Sequence, residues 1–426
     1  PPYDARTIAS TSEFLQSNQA VMPEISTSSP ASEPAPRWPF FRDQPSRIEL
    51  GPRPGHEPST LPPVRIFLGT EEAQYRAERI FFYSIEKVRD PARTYEIHLM
   101  KNVHGFDRSK WRTGFTNYRY AIPEWAGGSG RAIYNDVDQI YLADPALLFD
   151  LEMGNHGYLA ISAKDTSVML IDCGRMVDLW NTRTAATLGK HALIDKPSST
   201  PGLWGELDGH WNARDQEYVE GRTKCLHYTA LHQQPWQPTP EAFSYHPNPL
   251  AYIWHDLERG ADAEGYQVFT SQAPSPDFAA TLASANGSGE PAPAPSPLTA
   301  KLARNLAVAN VLAIHLPGRA PGTTLPGDLS TQGLVVDGTD TQWPEEAADA
   351  VVAPNLLMAL PPADLPWLLD RLFTAARKLV HLDATCIAPD GLGSAVWWRQ
   401  RVEEIALRHP GKSWSLTVAD KGAPIP

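Results

Sequence analysis

The sequence predicts an α/β protein of two folded units with largely parallel sheets, preceded by a polar tail. Two observations predict it. Short apolar, β-branched runs alternate with segments whose apolar residues recur at helical spacing, and two breaker-rich stretches divide the chain.

Residues 1–60, rich in Pro, Ser and Glu, bury too little apolar surface to offset the entropy of ordering and read as a disordered tail. Within it, "RWPFF" (Arg37 to Phe41) is a patch able to dock. The first unit spans residues 61–260. "VRIFLGT" (Val64 to Thr70) reads as a buried strand, and "EEAQYRAERIFFYSIEKV" as a helix with Tyr75, Ile80, Tyr83 and Ile85 apolar and charges between. "YEIHLM", "GRAIYND", "GYLAIS" and "SVMLIDC" read as further strands. Residues 261–297 read as a Pro/Ala/Ser linker. Residues 298–426 form the second unit, running strand, turn, strand, helix, strand. Its helix over "DLPWLLDRLFTAARKLV" has a basic last turn, and an amphipathic core helix follows from Ala395 to Pro410.

Composition bounds the function. A hydrophobic share of 42% suits a globular protein, and no apolar run approaches the ~20 residues that span a bilayer, which leaves only peripheral membrane contact. The net charge of −12 argues against broad nucleic-acid binding. Three scattered cysteines (Cys173, Cys225, Cys386) make neither a disulfide framework nor a zinc cluster, and point to a reducing cytoplasm. "PPYDARTIASTSEF" shows no basic and apolar regions of a secretory signal.

The chemistry centres on "YNDVDQIYLADP" (Tyr134 to Pro145). Asp136 and Asp138 follow directly on a strand, where α/β sheets place ligands, and two carboxylates so spaced reach one divalent cation. The triplet alone is a weak signal, equally written by a solvated turn. Upstream stands "TGFTNYRYAIPEW" with Arg119, which also has Glu124 as a surface partner, and downstream "KCLHYTALHQQPWQP" with His227 and His232.

Together these stretches resemble the retaining GT-A glycosyltransferases of the family that includes glycogenin and bacterial lipopolysaccharide galactosyltransferases, with Asp144 matching a later acid of the family's segment. The resemblance covers about two hundred residues, residues 61–260. It implies Asp136, Asp138 and His227 as metal ligands for Mn²⁺ or Mg²⁺, with His232 competing for the imidazole role. It also implies nucleotide contacts from the Gly69 and Thr70 backbone, Tyr75 stacked on the base (its spacing equally describes a core position), and Arg119 near the sugar nucleotide. The reaction implied moves a sugar from a UDP-sugar to a saccharide or glycolipid acceptor with retention.

The sequence departs from the family at Ala230, Leu231 and Gln234, where it has a glycine and a lysine, and at Asp165 and Ser167, which replace an amide and a glycine. Asp165 thereby joins Asp138 and Arg119 as a catalytic candidate. "ELDGHWNARD" (Glu206 to Asp215) resembles the family's "WN" element without the Asp-Gln pair before it. These departures keep open a second possibility, a non-catalytic binding or assembly protein built from degenerate enzyme domains.

The second unit resembles the latter half of class I S-adenosylmethionine-dependent methyltransferases through "DAVVAPNLLMALPPADLPWLLDRLFTAARKLV". It lacks the Asp-x-Gly-x-Gly turn, and Met358 and Ala359 stand where Glu-His is frequent. The expectation is a truncated Rossmann-like module that does not bind S-adenosylmethionine.

Overall fold

The computed structural model describes residues 41–106, 115–240, 243–287, 298, 300–316, 329–336, 343–354, 356–386 and 393–419. The described chain is α/β. In its first part the strands are β1 (Ser46–Leu50), β2 (Val64–Gly69), β3 (Tyr95–Met100), β4 (Arg131–Asp136), β5 (Gln139–Tyr141), β6 (Tyr158–Ala160), β7 (Val168–Asp172), β8 (Trp204–Glu206), β9 (Ala213–Arg214) and β10 (Cys225–His227). Seven of them form one sheet in the order β1-β3-β2-β4-β7-β6-β8, and β5-β10-β9 form a small second sheet. The centre, β3-β2-β4, is parallel, as the near-continuous apolar run of β2 requires of a strand covered on both faces. The sheet is nevertheless mixed, because β7 runs antiparallel to both β4 and β6.

Helix α1 (Tyr75–Val88) carries the chain from β2 to β3 across this sheet. Every residue from Ala77 to Ile85 is buried, charged Glu78 and Arg79 included. Helix α2 (Ala251–Ala263) packs on it, and the charges are satisfied internally: Glu78 accepts from Thr70 and Lys101, and Arg79 pairs with Asp262 of α2.

Two stretches read as unstructured contain regular elements. β1 lies inside the expected tail and pairs antiparallel with β3, its alternating burial bringing Ile48 and Leu50 onto the core. Of the "RWPFF" patch only Phe41 is described, and it stacks on His104. Within the expected linker, α3 (Pro276–Gly287) buries Phe278 and Leu282, and Ser275 just before it donates from backbone and side chain to Asp364. Composition hides both, because a few apolar residues among many breakers anchor each segment.

The remaining strands, β11 (Asn310–His315), β12 (Ser330–Val335), β13 (Ala348–Ala353), β14 (Ala376–Thr385) and β15 (Ser413–Ala419), form an all-parallel sheet in the order β12-β11-β13-β14-β15. Helix α4 (Leu365–Ala375) stops earlier than the sequence predicts. Arg377 and Lys378 belong to β14 instead, where both meet Asp349 at the start of β13. Helix α5 (Ala395–Ala406) is the expected core helix, burying Trp397, Trp398, Val402 and Ile405. The segment after β11 that lacks the methyltransferase turn lies outside the described residues. One hydrophobic cluster runs from the seven-stranded sheet through to α4, α5 and β14.

Candidate metal and nucleotide site

β4 ends at Asp136 on the carboxyl edge of its parallel neighbour β2, where Val137 N–H donates to Gly69 C=O at 3.0 Å. That bond turns the chain so that Asp138 and Asp136 converge. His227 arrives from β10, which pairs with β5 and so holds the imidazole opposite Gln139. One ligand atom from each of Asp136, Asp138 and His227 lies within 4.8 Å of the other two. His232 stands apart, its ring edge-on to Phe243.

The triad is supported from below. Asp136 is gripped by Arg119 Nη2 at 2.8 Å and by the Tyr134 hydroxyl. Burial raises the Asp136 carboxyl above its usual range, Arg119 opposes the shift, and the neighbouring Asp138 adds to it. His227 Nε2 lies 3.1 Å from Asp138 Oδ1. Burial disfavours the charged imidazole, but Asp138 and then Asp136 outweigh it, so its pKa is raised. Two acids thus hold a proton at an imidazole whose lone pair a divalent ion would otherwise take. The donor set fits such an ion: two carboxylates and one imidazole converge, and Asp138 Oδ1 is buried with the His227 ring 3.1 Å away.

Around the triad runs a polar relay. His227 Nδ1 meets Asn212 Oδ1 at 2.8 Å, Asn212 Nδ2 donates to Ser167 Oγ at 2.9 Å, and Ser167 Oγ donates to Asp165 at 2.6 Å. Asp165 also accepts from Arg214 Nη2. Asp165 therefore reaches the triad through two intermediaries. Gln234 Nε2 points at Asp138 Oδ2 from 3.4 Å.

Other expected site residues lie elsewhere or are already occupied. Arg119 is buried, with Nε donating to Thr116 C=O, Nη1 to Thr166 C=O and Nη2 to Asp136, so its guanidinium is engaged behind the triad. Its expected surface partner Glu124 instead bonds Thr182. Thr70 is buried, its hydroxyl donating to Glu78 at 3.1 Å, and Gly69 C=O is used by Val137. Tyr75 stacks under the Arg401 guanidinium of α5, and its ring lines a cleft of about 280 Å³ with Trp236, Gln237, Glu258 and Glu404. Asp144 accepts from Tyr95 Oη at 2.7 Å and from the backbone of Asp90 and Ala146, which fits a structural role. Sequence reasoning missed Tyr134, Gln139, Asn212 and Arg214. The last two were findable, since both lie in "WNAR" within the Glu206 to Asp215 segment that resembles the family's element.

No protein-family model matches the chain. Protein CDI of Arabidopsis thaliana is 24% identical over 206 residues, covering 39% of this chain and 78% of that protein. Among solved structures, the chain is similar to the WbbM bifunctional glycosyltransferase in its apo form, at 12% identity over 48% of this chain and with a TM-score of 0.33. It spans about half of that protein, 53%. It is similar to the galactosyltransferase LgtC in complex with donor and acceptor sugar analogues, at 11% identity, 46% of this chain, 96% of that chain and a TM-score of 0.32. It is also similar to the glycosyltransferase GlyE of Streptococcus pneumoniae TIGR4, at 13% identity, 82% of this chain, 100% of that chain and a TM-score of 0.33.

Proposed function

We propose that this protein is a metal-dependent glycosyltransferase that moves a sugar from a nucleotide-sugar, UDP-linked, to a saccharide or glycolipid hydroxyl with retention of configuration. The observation that carries the reading is the convergence of Asp136, Asp138 and His227 on one point at the carboxyl edge of a parallel sheet. Two carboxylates and one imidazole suit Mn²⁺, with Mg²⁺ the alternative. When bound, such an ion supplies charge that stabilises a departing diphosphate.

In this reading the chain's own residues position the ion and the donor. Arg119 and Tyr134 fix Asp136, Asn212 fixes the ring of His227, and Asp165 holds Ser167 and Arg214 behind it. The acceptor hydroxyl attacks from the side the nucleotide leaves, and the departing phosphate takes its proton, so no protein base is needed. We place the reaction in the cytoplasm, at most peripheral to a membrane. No helix among the described residues is long and apolar enough to cross one.

The test is thermal: Mn²⁺ with UDP raises the melting temperature of the full chain, because a ligand held only by the folded state must stabilise it. Asp138→Ala removes that increment. A nucleotide-sugar screen then yields Mn²⁺-stimulated release of nucleoside diphosphate from one donor. Absence of metal-dependent binding to any donor sinks the proposal. Gln234, a neutral amide beside Asp138, favours the second reading of a binding or assembly protein. Metal-dependent nucleotide binding without turnover would select it.

A further inference from the structure

We infer that Arg214 is the cation that meets the phosphate groups of the ligand at this site. The inference rests on the metal-site reading above and adds a residue to it. A nucleoside diphosphate held on one dication by two carboxylates keeps excess negative charge, and a half-buried phosphate without a counter-charge is costly. The described cations nearest the sheet's carboxyl edge are otherwise committed. Arg119 spends its guanidinium on Asp136 and backbone carbonyls, and Lys101 sits between Glu78 at 3.1 Å and Glu72 at 3.8 Å. Gln234 carries no charge.

Arg214 is placed differently. β10 pairs with β5 on one side and β9 on the other, and the register puts Gln139, His227 and Arg214 in one row across the three strands. Registered neighbours share a face, so Arg214 projects on the same side as the imidazole that points at the two aspartates. Its side chain is 37% exposed, and its Nη2 rests on Asp165. A planar fork of donors suits phosphate oxygens. Asp165 thus parks the guanidinium, and the phosphate competes for it.

The test uses the full chain, with Mn²⁺ alone and then Mn²⁺ with UDP, UMP or uridine, followed by equilibrium titration. Arg214→Gln weakens UDP binding on the order of ten- to a hundredfold, barely changes uridine, and leaves the affinity for Mn²⁺ alone unchanged. Arg214→Lys keeps part of the UDP affinity. Asp165→Asn, which frees the guanidinium, maintains or tightens UDP binding. Melting temperatures without ligand check that each variant folds. If Arg214→Gln binds UDP like the parent chain, or if Arg214→Gln and Asp165→Asn lose UDP affinity equally, Arg214 is only a structural partner of Asp165 and the inference falls while the metal site stands. If the parent chain binds no UDP in the presence of Mn²⁺, both readings fall together.

Discussion

His227 Nδ1 lies 2.8 Å from Asn212 Oδ1 and 3.3 Å from Gln139 Nε2, which leaves Nε2 as the ring nitrogen that faces the aspartates. Asn212 turns its amide nitrogen to Ser167 Oγ, so its oxygen is left to accept from Nδ1–H. Nε2 is then the nitrogen directed at Asp138. Hydrogen-bond partners of this kind orient a ligating imidazole and raise its basicity. Asn212→Ala is expected to lower Mn²⁺ affinity roughly 10- to 100-fold with a small loss of stability. Direct Mn²⁺ titration measures it, and an unchanged affinity would remove Asn212 from the site.

Gly69 is held close to the same centre. A Cβ added there would stand 2.6 Å from a Phe115 ring carbon and 2.7 Å from the Tyr134 hydroxyl that bonds Asp136. Gly69→Ala must therefore displace one aromatic ring or the other, an overpacking cost of about 1–3 kcal/mol. The expected outcome is lower stability in denaturant together with weaker Mn²⁺ binding. Loss of stability with full Mn²⁺ affinity would show that Phe115, not Tyr134, gives way.

Tyr75 serves as a brace between the first sheet's helix and α5. Its ring lies under Arg401, whose Nη2 donates to Glu72 C=O. A double-mutant cycle of Tyr75→Ala and Arg401→Ala is expected to give a coupling energy of roughly 0.5–3 kcal/mol in urea unfolding. Tyr75→Ala is expected to leave UDP binding unchanged. A large loss of UDP affinity in that variant would restore the base-stacking role.

His98 sets an acid limit on stability. Burial, followed by the charges of Arg47 and Arg65, lowers its pKa to about 4, and its ring stacks on Phe67 with centroids 4.2 Å apart. The unfolded chain protonates this imidazole below its usual value near 6.5, while the folded chain resists until about 4. Its contribution is therefore present above pH 6.5 and lost progressively from there down to about 4, by roughly 3 kcal/mol in all. His98→Phe is expected to flatten that part of the stability profile. Parallel pH profiles for both proteins would disprove it.

Most strands were legible because each is a short apolar run ended by Gly or Asp, as "VRIFLGT" and "GRAIYND" are. The triad was legible because Asp136 and Asp138 are adjacent in sequence and His227 lies in a recognisable segment. What local pattern cannot show is which side chains are already engaged. Arg119 reads as a cation near the sugar nucleotide or as a surface partner of Glu124, until the fold surrounds it with Thr116, Thr166 and Asp136. Arg214 gains meaning only when a two-residue strand is registered against β10. β1 and α3 escaped because their few anchors, Ile48, Leu50, Phe278 and Leu282, are diluted by breakers.

The strand Ser46–Leu50 carries a consequence beyond its own few contacts. It runs antiparallel along the outer side of β3, with Arg47 paired to Glu96, and occupies the peptide groups that would otherwise face water there. A bare, regular edge is a template on which another chain can add a strand. A chain trimmed at residue 60 would keep Asp136, Asp138 and His227 intact and yet expose that template, so its failure would take the form of self-association and precipitation, with the chemistry of the site untouched.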